Sequence, residues 1–345
     1  FFAVQMARIP GGYIEVSPTG ALRDHEALDA LLNVIKRDGV SPVSRKIAED
    51  YIASIDRQIP DYMQKGGDGA ALMATSLIGR YANREKFDRI VRSLRYRREH
   101  REDMALAYQA GDPLLISWAL FRRQLKRKLR FRSVTRLFRT EVKAERYFLY
   151  PLHFHPEAST SILAADYIDE MSVIKAIAFR LPSDVKLVVK EHPSATALQP
   201  LSFYRELAAM PNVELVAPGL NAKLLARKAI GVICLTSTLG FEAALLNKPV
   251  ISMGDVLYGY FPNVRMIEHY GDLNSALDWA MAYSPLDPER IVEAMAAYVD
   301  YIVPGSFSFK GSLEDPAAID QVARVLLEKL TQDPGGRGQV PRAVG

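Results

Sequence analysis

Short apolar runs alternate with helix-length segments through the second half of the chain. The runs at 185–190, 212–216, 231–235 and 248–251 are rich in β-branched residues, and polar residues follow each of them. Another apolar run, at 146–152, precedes them. Strands that alternate with helices in this way are typical of βαβ units and a parallel sheet. Because ligands bind where the strands of such sheets end, the polar residues after each run are candidates for a binding site.

The first half of the chain has the period of amphipathic helices. Apolar residues three and four positions apart predict a helix over 24–37 and another over 44–58, and more helices follow between 70 and 110. One strand is predicted at 12–16. The first half is therefore expected to be rich in helices.

The domain organisation follows from this change of pattern. A length of 345 residues suggests two domains, at roughly 150 residues each. We predict a helix-rich domain over 1–145 and a Rossmann-like domain with a parallel sheet over 146–315. A last helix and a mobile tail are expected over 316–345.

The composition is that of a globular protein in a reducing compartment. Hydrophobic residues make up 49% of the chain, and no uncharged apolar run approaches the roughly 18 residues of a membrane span. Cys234 is the single cysteine, which excludes an internal disulfide, and its apolar strand indicates core packing. No secretory signal follows Phe1, and the missing initiator methionine suggests that the natural start lies upstream. We therefore predict a cytoplasmic protein.

The segment 121–139 contains nine Lys or Arg residues and no acidic residue. One interpretation is a helix with one buried stripe and a solvated basic face. Another is a surface that docks on an anionic bilayer, where each basic residue contributes roughly 1 kcal/mol. A nucleic-acid surface is the third, but no nucleic-acid-binding motif accompanies the charge. We predict a peripheral association with the inner membrane face and no nucleic-acid partner.

A hydroxyl-rich loop follows the strand at 231–235 and consists of Thr236, Ser237 and Thr238. Free N–H groups and the dipole at the start of the next helix favour an anion there. Gly240 would let a ligand approach the first helical turn, and Glu242 could accept from ribose hydroxyls. The alternative is ordinary N-capping by Ser237 or Thr238.

A second candidate, Lys190-Glu-His-Pro193, ends the strand at 185–190. The imidazole of His192 can donate to a phosphate oxygen, Lys190 could add charge, and Pro193 stiffens the loop. The alternative is a strand-end histidine that makes only a structural hydrogen bond.

The third candidate is Pro151-Leu-His-Phe-His-Pro-Glu157. His155 and Glu157 are expected to face the cleft, as substrate ligands or as an acid/base pair. His153 and His155 would lie on one face of an extended chain, which permits a metal site. However, no third potential ligand lies at a sequence spacing typical of metal sites. We predict no metal. The loop could also serve only to cap the next helix.

These three segments, in this order, resemble the bacterial capsule polysaccharide biosynthesis proteins, which include Kdo transferases and belong with the GT-B glycosyltransferases. The resemblance rests on 151–157, 190–193, 237–243 and 248–251, and it covers 146–265. The His-Pro pair and the Ser/Thr pair are also similar to nucleotide-binding motifs of bacterial sialyl- and polysialyltransferases that use CMP-sugars.

The resemblance implies an α/β, GT-B-like fold with a C-terminal nucleotide-sugar domain. The helix-rich N-terminal domain would be reduced, or its beginning would lie outside this chain. His192 and Ser237 or Thr238 would hold the phosphate of a cytidine nucleotide, and Glu242 would lie near the ribose. Glu15 and Asp24 are the candidates for the catalytic carboxylate of the N-terminal domain.

The activity implied is transfer of a sugar, with CMP-Kdo as the preferred donor, to a glycan or glycolipid acceptor. No cofactor is expected. Two alternatives remain: a sugar-nucleotide epimerase or hydrolase, and a non-catalytic basic protein that binds membrane or nucleic acid.

Overall fold

The structure is a computed structural model that describes residues 3–10, 13–17, 25–58, 84–100, 112–154 and 158–305, with 320, 322–324 and 326–327. The strands are β1 (Ala3–Met6), β2 (Tyr13–Ser17), β3 (Tyr147–Pro151), β4 (Lys186–Lys190), β5 (Val213–Val216), β6 (Gly231–Cys234), β7 (Val250–Ser252), β8 (Val264–Met266) and β9 (Val303–Pro304). The helices are α1 (His25–Arg37), α2 (Pro42–Ala53), α3 (Arg84–Glu99), α4 (Pro113–Thr135), α5 (Ala158–Ser161), α6 (Glu170–Ala178), α7 (Leu201–Ala209), α8 (Ala222–Lys228), α9 (Thr238–Leu245), α10 (Leu273–Met281) and α11 (Pro288–Tyr301).

The centre of the molecule is a six-stranded parallel sheet in the order β5-β4-β3-β6-β7-β8. Counted from β3, this is the strand order 3-2-1-4-5-6 of dinucleotide-binding folds. The predicted α/β, Rossmann-like sheet is confirmed. The order reverses between β3 and β6, and the crevice at such a reversal is where these sheets bind ligands.

The strands β3 to β7 are largely buried on both faces, which is why they read as continuous apolar runs. Successive side chains of a strand point to opposite faces. In β3, Tyr147 and Leu149 accordingly join one hydrophobic cluster and Phe148 and Tyr150 another. Cys234, at the end of β6, is buried in the first cluster, as predicted.

The N-terminal region packs on one side of this sheet. The hairpin of β1 and β2 pairs with β9 in a three-stranded antiparallel sheet. The helices α1 and α2 pack against α11. Side chains from this region share a hydrophobic cluster with the sheet and with α9, among them Ile9, Leu31, Tyr51 and Ile55.

The helices predicted over 24–37 and 44–58 correspond to α1 and α2. The domain boundary at 145 and 146 stays a prediction, and the segment 316–345 lies largely outside the described residues. Within the part of the chain that the structure describes, no helix is long and apolar enough to cross a bilayer.

Candidate active site at the strand ends

Three candidate loops meet at the carboxyl edge of the parallel sheet. β4 and β6 both pair with β3, so the loops that carry His192 and Ser237 lie on either side of the loop that carries His153. With strands about 4.8 Å apart, β4 and β6 end about 10 Å from each other. The N–H of Leu235 donates to Nε2 of His153 at 3.3 Å, and the Phe154 ring lies 6.2 Å from the His192 ring. The loops therefore border one crevice.

His192 presents a fixed donor. Its Nδ1 accepts from the Ser194 N–H at 3.2 Å, so the proton of the neutral ring resides on Nε2. Burial lowers the pKa of His192 to about 4, and Lys190 and His153 act in the same direction. Among the described residues nothing bonds to Nε2. At neutral pH the ring can thus donate one hydrogen bond to a ligand oxygen.

The residues around His192 hold the strand end together. Glu191 is buried, accepts from the His192 N–H at 2.8 Å and accepts from Tyr204 Oη at 2.5 Å. Burial raises the pKa of Glu191 to about 7, against the opposite effect of these two hydrogen bonds. Lys190 donates to the Pro218 carbonyl at 2.9 Å, and burial lowers its pKa to about 8. Its ammonium therefore serves a backbone carbonyl.

Pro193 begins a short 3-10 helix, Pro193–Ala195, and so sets the direction in which the chain leaves His192. Two arginines of α4 hold the segment that follows. Arg127 donates from Nε to the Thr196 carbonyl at 2.7 Å and from Nη2 to the Ser194 carbonyl at 3.0 Å. Arg130 donates to the carbonyls of Ala197 and Leu198.

These contacts correct the expectation for the basic segment 121–139. Arg127 is only 2% exposed, so part of the charge belongs to the interior. The interpretation as a helix with one buried stripe had placed the basic residues on a solvated face. The membrane surface predicted for this segment used the same residues, and the buried Arg127 cannot contribute to it.

The hydroxyl loop leads into α9. Ser237 is its N-cap, because Ser237 Oγ accepts from the Leu239 N–H at 3.1 Å. The N-capping alternative is thus realised, and the nucleotide-binding role of Ser237 stays a prediction. Thr238 Oγ1 accepts from Arg8 Nη1 at 3.3 Å. Thr236 is buried, with its methyl group close to Gly254.

Arg8 is a residue that the sequence did not reveal. It follows β1, and its guanidinium lies 5.0 Å from the centroid of the Tyr258 ring as well as beside Thr238. The hairpin therefore brings a cation to the N-terminus of α9, where the helix dipole also favours an anion. No local signal could have found this contact, because the two residues are 230 positions apart.

Gly240 and Glu242 both have close protein neighbours. A Cβ at Gly240 would come within 2.5 Å of Tyr258 Oη and 2.7 Å of Cys234 Sγ, so close packing of α9 on β6 requires the glycine. Glu242 is buried and pairs with Lys223 at 3.2 Å. Burial raises the pKa of Glu242, and Lys223 opposes this. Contact of these residues with a nucleotide stays a prediction.

Of the catalytic candidates, the structure describes Glu15. Glu15 is 3% exposed and accepts from Tyr298 Oη, which itself accepts from the Arg8 N–H at 2.8 Å. Its carboxylate lies in the interface of the hairpin with α11, and its catalytic role stays a prediction. Asp24, His155 and Glu157 lie outside the described residues.

Glu170, at the start of α6, is a second residue that the sequence did not reveal. It is buried, and its Oε1 accepts from the N–H and Nδ1 of His153, both at 2.9 Å, and from Tyr150 Oη at 3.3 Å. Since Leu235 donates to Nε2, both ring nitrogens of His153 are engaged and cannot bind a metal in this arrangement. The described residues contain no group of three potential metal ligands.

The sequence model of the family described as Capsule polysaccharide biosynthesis protein matches residues 46–261, more than half of the chain. None of the curated proteins matches it in sequence.

Several solved structures are similar to it, among them the following three. KpsC of Thermosulfurimonas dismutans, a beta Kdo 2,7 transferase, is 13% identical with a TM-score of 0.42, over 85% of this chain and 68% of KpsC. The UDP-GlcNAc 2-epimerase of Methanocaldococcus jannaschii is 15% identical with a TM-score of 0.35, over 51% of this chain and 49% of the epimerase. The spinosyn rhamnosyltransferase SpnG is 14% identical with a TM-score of 0.32, over 47% of this chain and 43% of SpnG. This chain thus covers about half or less of the last two proteins.

Proposed function

Because this chain belongs to the capsule polysaccharide biosynthesis protein family, we propose that it is a GT-B-type glycosyltransferase that builds a bacterial surface polysaccharide or its lipid-linked precursor. One observation carries the proposal. His192, with its Nε2–H, follows β4, and the Arg8-flanked N-terminus of α9 follows β6, so both lie beside β3 at the reversal of the sheet. These groups suit the phosphate of a nucleotide sugar, and the motif resemblance favours CMP-Kdo as donor.

The chemistry is electrostatic. The bond between the anomeric carbon and a phosphate oxygen breaks, and the oxygen keeps the electron pair. His192, Arg8 and the N–H groups of α9 stabilise the growing negative charge. The acceptor hydroxyl forms the new bond and gives its proton to a carboxylate or imidazole, for which Glu15, His155 and Glu157 are the candidates. A metal has no part in this scheme, so turnover should survive EDTA.

Nucleotide binding tests the proposal. The thermal unfolding midpoint is measured with CMP, UDP, GDP and ADP, since a ligand at a hundred times its Kd adds about 2.7 kcal/mol of stability. We expect CMP to raise the midpoint, and His192→Ala to reduce the rise. His100→Ala, just after α3, is the control. A midpoint that no nucleotide changes would contradict the proposal, and hydrolysis of the donor regardless of acceptor would contradict transfer.

We further propose that the outer face of α4 docks on the anionic inner face of the membrane. This face combines exposed apolar side chains with exposed basic ones, namely Leu114, Leu115, Trp118, Leu129, Arg122, Lys126 and Lys128. Trp118 is 61% exposed. Apolar and basic groups on one face complement the interface and charge of an anionic bilayer. Such docking would bring the site close to a lipid-linked acceptor.

Vesicle sedimentation tests this docking. We expect the protein to sediment with vesicles that contain phosphatidylserine, and the triple variant with Arg122, Lys126 and Lys128 changed to Gln to stay in solution. The matched control changes the exposed Arg205, Lys228 and Arg290 to Gln and removes the same charge. Equal sedimentation of both variants would refute the docking. Arg127 and Arg130 are left unchanged because they bind the His192 loop.

A further inference from the structure

The inner face of α4 meets the segment that follows His192. Arg127 and Arg130, three positions apart and therefore on one side of the helix, both donate to it. They bind four carbonyls along the chain, those of Ser194, Thr196, Ala197 and Leu198. A guanidinium suits these contacts because its donors form a rigid fork, whereas the ammonium of lysine is a point charge.

Ser194 connects Arg127 with the imidazole. Its carbonyl accepts from Arg127, and its N–H donates to Nδ1 of His192. This second bond selects the Nε2–H form of the ring and sets its orientation. A change in the position of Ser194 would therefore alter the donor that His192 presents to the crevice.

Ala197 explains why the segment needs to be held. Its φ is +60°, a left-handed conformation that is unfavourable for a residue other than glycine. Arg130 binds the carbonyls of Ala197 and the next residue, Leu198. Without these bonds the segment would be free to relax to an ordinary backbone conformation.

We propose that Arg127 and Arg130 are positioning residues, which hold the segment 194–198 so that His192 presents its Nε2–H to the nucleotide phosphate. This inference rests on the proposed function, because it takes His192 as a ligand of the nucleotide. It assigns two roles within the basic segment 121–139, since the inner arginines organise the site while the outer basic residues face solvent or membrane.

A double-mutant cycle on the full chain tests this role. CMP affinity is measured for the parent, Arg130→Ala, His192→Ala and the double variant, in the absence of vesicles. We expect Arg130→Ala to weaken CMP binding about tenfold in the parent. In the His192→Ala background it should have almost no effect, because the group on which it acts is gone. The control is Arg132→Ala, an exposed arginine of the same helix.

An equal loss of CMP affinity from Arg130→Ala in both backgrounds would overturn the inference. The proposed function would still be supported in that case if His192→Ala by itself weakened CMP binding. Arg127 is more deeply buried than Arg130, so it is changed to Lys rather than to Ala. Arg127→Lys keeps the positive charge but loses the rigid fork of guanidinium donors. Millimolar guanidinium should restore part of the CMP affinity of Arg130→Ala. Failure of all nucleotides to bind the parent would instead count against the proposed function.

Histidine NMR tests the positioning without any nucleotide. Nitrogen shifts, assigned by comparison with His192→Ala, should report the Nε2–H form and a pKa near 4 for His192 in the parent. In Arg130→Ala the pKa should rise toward its ordinary value of about 6.5, because the segment that buries the ring relaxes. The charged and titratable neighbours Lys190, His153 and Glu170 are the same in both proteins. An unchanged titration in Arg130→Ala would overturn the inference.

Discussion

His153 and His192 follow neighbouring strands, yet their rings are held in opposite tautomers. Glu170 accepts from Nδ1 of His153 and Leu235 donates to its Nε2, so His153 links β3 to β6 and α6. In His192 the Ser194 N–H binds Nδ1 instead, so the proton is on Nε2, which has no hydrogen-bond partner among the described residues. The hydrogen bond at Nδ1 therefore separates a structural histidine from a candidate ligand.

Glu170 should contribute strongly to the stability of the carboxyl edge of the parallel sheet. Glu170→Ala removes the acceptor of three buried donors and should lower the free energy of unfolding by about 3 kcal/mol or more, at 1 to 3 kcal/mol for each donor. Glu170→Gln keeps an oxygen at the same position and should cost much less. Urea unfolding measures both. Glu206→Ala, which removes an exposed partner of Lys175, is the control.

A loss for Glu170→Ala no larger than that of the Glu206→Ala control would contradict the predicted role of the buried carboxylate.

At the scale of elements, α9 depends on how closely it approaches β6. Tyr258, in the 3-10 helix Leu257–Tyr260, donates to the Ser237 carbonyl at 2.9 Å and lies over Gly240. One side chain thus supports the N-cap residue and also sets the space available to the first turn. The position of the helix N-terminus, and so its use as an anion site, follows from this packing.

Gly240→Ala should displace α9. The added methyl group has no room between Tyr258 Oη and Cys234 Sγ, and overpacking of this kind costs about 1 to 3 kcal/mol. We expect a lower thermal midpoint together with weaker nucleotide binding. Tyr258→Phe should relieve part of the clash in the double variant, although it also removes the bond to Ser237.

Gly219→Ala is the matched control, since nothing lies within 4 Å of a Cβ at that position among the described residues. If Gly240→Ala were as stable as this control, the packing role of the glycine would be wrong.

At the scale of the whole molecule, the N-terminal region and the parallel sheet share one hydrophobic cluster. Ile55 and Tyr51 belong to it together with Val232 and Phe241. Polar contacts also join α2 to α11, since Ser44 Oγ donates to Asp300 Oδ1 at 2.5 Å and Arg45 pairs with Glu289. The described residues of both regions are therefore expected to unfold together.

Ile55→Ala tests this cooperativity. Loss of a buried isoleucine should lower the free energy of unfolding by about 2 to 5 kcal/mol. In a Trp118→Phe background, the fluorescence of Trp279 reports on the sheet domain, and circular dichroism reports on the whole chain. Both should give the same lowered midpoint in urea. The exposed Val43→Ala should change neither.

A Trp279 transition that kept the parent midpoint would show two independent units and would favour the boundary predicted at 145 and 146.

The sequence by itself determined most strands of the parallel sheet and the place of the candidate site. Apolar runs followed by polar residues indicated β3, β4, β6 and β7, because burial on both faces of a parallel sheet leaves no alternation in the strand. Because parallel strands end at the same edge of a sheet, the strand pattern also predicted that His192 and the hydroxyl loop lie at that edge. The amphipathic period predicted α1 and α2, since the three- and four-residue spacing of a helix face is a local property.

Only the tertiary structure decided which groups are available to a ligand. Arg8 meets Thr238 across 230 positions, Arg127 meets Thr196 across 69, and both contacts depend on how distant elements pack. Packing also engaged Lys190 and Glu242 with protein partners, although their types suit a nucleotide. A local sequence pattern indicates the face of an element on which a side chain lies. Its hydrogen-bond partner depends on which distant residues pack beside it in the folded chain.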